Sequence, residues 1–173
     1  PAAKPPLISN VLAKDIMAIT GIVFALFVMV HMYGNLKVYK GPEAFNDYAL
    51  FLRTLFEPLF PYEGFLWIFR VALLVCLIGH VGCAVLLSAR AKKARGSHKR
   101  RGLKGFKSFT ARTMPVTGVV LLLFIIFHIL DLTAGVGVAP AEFQHGSQAG
   151  SFAYENLVAS FQRPVVALIY LLA

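Results

Sequence analysis

Three histidines, His31, His80 and His128, are each the single imidazole of a long apolar stretch: GIVFALFVMVHMYGN, FLWIFRVALLVCLIGHVGCAVLL and MPVTGVVLLLFIIFHIL. An imidazole is both a hydrogen-bonding group and a metal ligand, and it titrates near neutral pH. Hydrocarbon gives it no partner, so in each stretch it must meet a side chain, a backbone carbonyl or a bound group. The repetition of one histidine per stretch is the chemical signal in this chain. His98, in a basic segment, and His145, in a Gly/Ser/Gln segment, read as solvent-exposed loop residues.

The elements that must carry these side chains follow from hydropathy. At 173 residues, 58% hydrophobic and mean hydropathy +0.70, the composition excludes an ordinary soluble domain. It predicts an all-α integral membrane bundle, read as one transmembrane domain. The lead PAAKPPLISNVLAKD lacks the basic region and cleavage site of a signal peptide, so the first helix is read as retained. That helix runs from about Ile16 to Leu36 and covers roughly 31 Å, the thickness of a hydrocarbon core. Asp15 stands at its predicted start, where a carboxylate suits the helix dipole. The second helix is expected from about Gly64 to Ala89, with Trp67 as interface anchor, and the third from about Thr113 to Thr133, with Pro115 in its first turn. A fourth opens at Pro164 with VVALIYLLA. Its ten residues reach only about 15 Å, so the remainder of that helix is expected beyond Ala173.

Between the helices lie two kinds of connection. EAFNDYALFLRTLF, closed by Pro58 and Pro61, and FAYENLVASF are amphipathic at helical spacing and predict short interfacial helices. Arg90 to Arg112 carries ten positive charges and no acid, so the net charge of +9 is concentrated in this one segment. In a soluble protein such charge would suggest nucleic acid. Between two apolar helices it marks a cytoplasmic loop near lipid phosphates, and both amphipathic connections then lie outside. Cys76 and Cys83 are seven residues apart on one helix, too far for a disulfide, and read as small packing residues.

Depth can be counted on this frame. His31 lies fifteen residues past Ile16 and His128 fifteen past Thr113, so both sit roughly 22 Å from the inner face. His80, on the reversed helix, sits roughly 14 Å from it. Two imidazoles at common depth in a helical bundle are what six-coordinate haem b requires, one Nε2 at each axial position. Zinc is disfavoured, since no cysteine or carboxylate stands at ligand spacing. A proton relay would favour interior Asp or Glu, and the spans are read as lacking them. Ala72, Cys76, Gly79 and Cys83 give the second helix a small-residue stripe beside His80, with Gly82 close by, suited to a macrocycle or to close helix packing. Phe24, Phe27 and Val28 precede His31, and Phe124 and Ile125 precede His128, as core or cofactor-facing residues. Arg70 is placed to snorkel or to neutralise an acidic group at the outer face, and Arg90 and Arg112 to do the same at the inner face.

NVLAKDIMAITG, VHMYGNLKVY, LRTLFEP, PYEGFLWIFR, GHVG, FHILDLT and YENLVASFQRP resemble the dihaem cytochrome b membrane anchors of succinate:menaquinone oxidoreductases and fumarate reductases. The resemblance covers most of the chain from Ser9 onward. It implies a five-helix bundle in the bacterial cytoplasmic membrane with two b haems. It also implies flavoprotein and iron–sulfur partner subunits on the inner face, and menaquinone as the quinone substrate. His31 and His128 then resemble the ligands of the outer haem and His80 one ligand of the inner haem, whose fourth histidine lies beyond Ala173. Arg70, Arg90 and Arg112 become partners for haem propionates. Quinone chemistry needs a proton path, for which Glu57 and Glu63 at the outer mouth of the second helix are candidates. The chain would be the electron-transfer and quinone-reacting subunit, not the succinate-oxidising one. Two other readings stay open: a haem-free anchor whose histidines pack helices, and a dihaem cytochrome b serving a hydrogenase or formate dehydrogenase.

Overall fold

A computed structural model describes residues 7–98 and 106–173. Among the described residues the protein is all-helical, with no strand. Its helices are α1 (Asn10–Asn35), α2 (Pro42–Thr54), α3 (Gly64–Arg95), α4 (Phe106–Ile129), α5 (Ala153–Phe161) and α6 (Pro164–Leu172). A 3₁₀ turn, Leu36–Lys40, extends α1, and a π turn, Leu130–Ala134, extends α4. Three segments, Asn10–Lys40, Gly64–Arg95 and Thr113–Ala134, are long and apolar enough to cross a membrane. Leu26, Val75, Ile78, Val119 and Leu123 are each more than half exposed, whereas Asp131 and Ser160 are wholly buried. Apolar side chains outward and polar ones inward is the arrangement expected where lipid is the solvent.

The helix ends differ from expectation. Helix α1 begins six residues before Ile16, because the Ser9 hydroxyl accepts the Leu12 N–H at 3.0 Å and caps the first turn. Asp15 therefore lies inside the helix and not at its start. Helix α3 continues through Ala91-Lys-Lys-Ala-Arg95, good helix formers whose positive charges suit a helix C-terminus. The basic segment is thus partly helix at both of its ends; Lys99, Arg100, Arg101 and Lys104 lie outside the described residues, as do the side chains of Lys107 and Arg112. Helix α4 also starts early, which puts Pro115 in its interior rather than its first turn. There Pro115 has no N–H to give the Ala111 carbonyl one turn back. Pro164 does open α6 at the first turn, as expected.

By contact the chain forms two compact units, one holding α1 and α3, the other α2, α4, α5 and α6. In the first, α1 and α3 run antiparallel. Arg90 Nη1 donates to the Ile8 carbonyl at 2.9 Å and to Asn10 Oδ1 at 2.7 Å, Thr20 meets His80, and Phe27 meets Phe69 at 6.0 Å between ring centroids. Gly79 faces Ile16 of α1, where a Cβ would stand in ordinary contact with the isoleucine side chain at 3.6 Å. Cys83 and Ala13 are both buried, and both cysteines are free thiols. Of the predicted small-residue stripe, Gly79 lies against Ile16 and Cys83 is buried, while Ala72 is exposed, as is nearby Gly82.

In the second unit the two amphipathic helices pack on each other. Asn46 of α2 accepts the Tyr154 N–H at 2.9 Å, satisfying a free donor in the first turn of α5, and donates to Glu155 at 2.9 Å. Buried Phe45 meets the Tyr154 ring edge-on at 6.4 Å. Asn156 fixes the preceding loop, accepting from the Gln144 N–H at 2.9 Å and donating to its carbonyl at 2.7 Å.

Candidate functional site

His80 has the best-defined surroundings of the three histidines. Its Nδ1 lies 2.9 Å from the hydroxyl of Thr20, which is 8% exposed between α1 and α3. The Thr20 hydroxyl has one proton, and its nearest acceptor is the Ile16 carbonyl, one turn back at 2.7 Å. The Phe24 ring meets the imidazole edge-on at 5.9 Å, and a Cβ at Gly21 would stand 3.7 Å from His80 Cε1. Thr20, Gly21 and Phe24 together form the seat of this imidazole.

His31 and His128 share a local device. Each stacks on the phenylalanine one turn before it, Phe27 at 5.2 Å and 24°, Phe124 at 5.9 Å and 27°. A planar side chain at i−4 limits how the imidazole turns, because both project from one helix face. His31 belongs to the first unit and His128 to the second. His128 Nδ1 lies 3.4 Å from the Tyr170 hydroxyl of α6, and that hydroxyl donates to Asp131 at 3.0 Å. Val28 is exposed.

Asp131 is the feature that sequence reasoning missed. The spans were expected to hold no interior acid; Asp131 lies in the third, in the π turn that closes α4, with no exposed surface. Its Oδ1 accepts from Arg163 Nη2 at 2.6 Å, and its Oδ2 accepts from the Ser160 hydroxyl and from Tyr170. Arg163 also donates to Ser160 at 2.9 Å and to the Val138 carbonyl at 2.6 Å. A charge this deep is tolerated when it is paired and hydrogen-bonded, and here both carboxylate oxygens have donors. The signal was an Asp in FHILDLT and an Arg in FQRP, two charges beside apolar helices. The turn is completed by Gly135 at φ +65°, whose missing Cβ leaves room for the Phe143 ring.

The remaining predicted residues fall as follows. Arg70 lies 3.6 Å from Glu63 and over the Trp67 ring at 4.9 Å, so two residues assigned separate tasks form one ion pair. Glu63 holds positive φ of 60° at the N-terminus of α3, and Glu57 is exposed. Arg90 clasps the start of α1. His98 and His145 are exposed, His98 with Nδ1 3.2 Å from the Arg95 carbonyl and His145 edge-on to Phe143 at 5.1 Å.

Among the described residues, no three His, Cys, Asp or Glu side chains converge as a metal-holding group. A bis-histidine haem site asks for less, one imidazole nitrogen on each side of the iron. The seat of His80 is compatible with such a site: Nδ1 is engaged by Thr20, and Nε2 would be the nitrogen to hold the iron. No family model, no curated protein and no solved structure matches the chain.

Proposed function

We propose that this chain is a haem b-carrying membrane anchor of a succinate:quinone oxidoreductase, passing electrons between an iron–sulfur subunit and membrane quinone. The observation that carries the reading is the placement of one histidine inside each of the three apolar spans, His31, His80 and His128. The likeness of the histidine-bearing motifs to dihaem anchors supplies the rest: a five-helix bundle in the bacterial cytoplasmic membrane, flavoprotein and iron–sulfur partners on the inner face, and menaquinone as substrate.

Haem, when bound, supplies the one-electron chemistry, and its potential is set by axial ligands, burial and hydrogen bonding. The chain's residues hold and orient it. The depth count pairs His31 with His128 as ligands of the outer haem and leaves His80 for the inner one. Arg70, Arg90 and Arg112 are positive groups at span ends, suited to propionates. In Arg70 that charge is shared with Glu63, and in Arg90 part of it ties down α1. Glu57 and Glu63 stand beside the mouth of α3 as the proposed proton path, the exposed Glu57 open to solvent. The pairing of α2 with α5 supports the topology, because two connections that pack together lie on one side of the membrane. The ten positive charges put that side opposite the cytoplasm.

A second reading draws on the same hydrogen bond that seats His80. A histidine bonded to a neighbouring helix's hydroxyl also suits a haem-free anchor. The optical spectrum of the purified complex separates the two. Two low-spin b haems per anchor subunit are expected, and absence of a Soret band would leave the plain anchor standing.

A further inference from the structure

We infer that Thr20 is a positioning residue for His80: its hydroxyl accepts a hydrogen bond from Nδ1–H and so fixes the tautomer that turns Nε2 into the ligand atom. This rests on the haem-anchor reading for its purpose, but its chemistry is a statement about two side chains of the chain itself.

The assignment follows from counting protons. A threonine hydroxyl has one proton to give and lone pairs to receive. Of the oxygens around it, the Ile16 carbonyl lies at 2.7 Å and the Met17 carbonyl at 3.3 Å, and neither carbonyl is able to donate. Bonding back to the i−4 carbonyl is the usual state of a threonine inside a helix, where no water competes. With that proton engaged, the 2.9 Å contact to His80 Nδ1 is a hydrogen bond only if the imidazole brings the proton. A neutral imidazole protonated on Nδ1 carries its lone pair on Nε2.

The neighbours make the seat specific. Gly21 follows Thr20 and lies beside His80 Cε1, where a Cβ would be in ordinary contact at 3.7 Å. Phe24, one turn further, meets the imidazole in a T-shaped contact at 5.9 Å between ring centroids. Thr20, Gly21 and Phe24 are thus three residues of α1 organised around a side chain of α3. His80 is held by a neutral hydroxyl that ends on a backbone carbonyl. His128, by contrast, faces a tyrosine that ends on the Asp131 carboxylate.

The test compares Thr20→Val, which keeps the shape and removes the acceptor, with Thr20→Ser, which keeps the acceptor. The full-length subunit, isolated in its complex with ¹⁵N-labelled histidine, gives the protonation of each ring nitrogen by ¹H–¹⁵N correlation, with the His80 signal identified by its loss in His80→Gln. An Nδ1–H signal for His80 in wild type and Thr20→Ser, shifted or exchange-broadened in Thr20→Val, is expected. Haem retention on dilution should fall roughly 10- to 100-fold for the spectral component that depends on His80, as for other losses of a ligand's supporting bond. The component that depends on His31 should stay, which shows that the bundle is intact. Wild-type His80 protonated on Nε2, or a Thr20→Val variant matching wild type in both the nitrogen signal and haem retention, overturns the assignment. A complex with the Nδ1–H signal but no haem supports the Thr20 assignment and overturns the electron-transfer reading instead.

Discussion

Replacing Asp131 with Asn tests the buried ion pair that closes the second unit. The carboxylate is wholly buried, while the Arg163 side chain is 34% exposed. Removing one partner of a buried pair costs about 3–5 kcal/mol, because the survivor keeps an uncompensated charge. In Asp131→Asn the survivor is Arg163, whose side chain is partly exposed, and the amide keeps one acceptor oxygen; a loss of about 3 kcal/mol is expected, near the bottom of that range. In Arg163→Met the survivor is the carboxylate with no access to solvent, so the loss should be larger, about 4–5 kcal/mol. It also frees the Val138 carbonyl, worth about 1 kcal/mol. The double variant should recover about 2 kcal/mol relative to the sum of the single losses, since neither charge is left alone. The assay is SDS-induced unfolding of the detergent-solubilised chain, followed by helical circular dichroism. Single losses that add within about 0.5 kcal/mol, or Asp131→Asn costing more than Arg163→Met, would refute the reasoning.

Gly135→Ala should destabilise by about 2 kcal/mol or more, since the new Cβ meets the Phe143 ring at a backbone φ of +65°; a thermal midpoint equal to wild type would contradict the packing described. His31→Ala and His128→Ala should remove the same spectral component and His80→Ala the other, scaled to protein present; loss of one component by His31→Ala and His80→Ala together would break the depth count. The basic segment between α3 and α4 should be cut by protease only in inverted membrane vesicles. Cleavage in sealed cells would reverse the topology and exchange the inner and outer assignments.

What the sequence by itself determined is what a bilayer reads from it. A span is recognised by apolar length, a sum over consecutive residues, so all three spans and the start of α6 at Pro164 were legible. Periodicity likewise gave α2 and α5, because an amphipathic face is written within a dozen neighbouring residues. Helix ends were less legible. Ser9 rather than Asp15 caps α1, and α3 runs on through Arg95, because caps and charged helix formers carry no hydropathy signal.

The tertiary structure alone decided the partners. Thr20 and His80 are sixty residues apart, Asn10 and Arg90 eighty, and Asp131 reaches Ser160, Arg163 and Tyr170 across 29 to 39 residues. The acid in FHILDLT and the arginine in FQRP stand out beside apolar helices, but that they meet in one buried cluster depends on donors that folding brings together. Glu63 and Arg70, seven residues apart, meet as an ion pair because α3 sets them on one face. A hydrogen bond needs a fixed distance and direction, and only packed helices supply both.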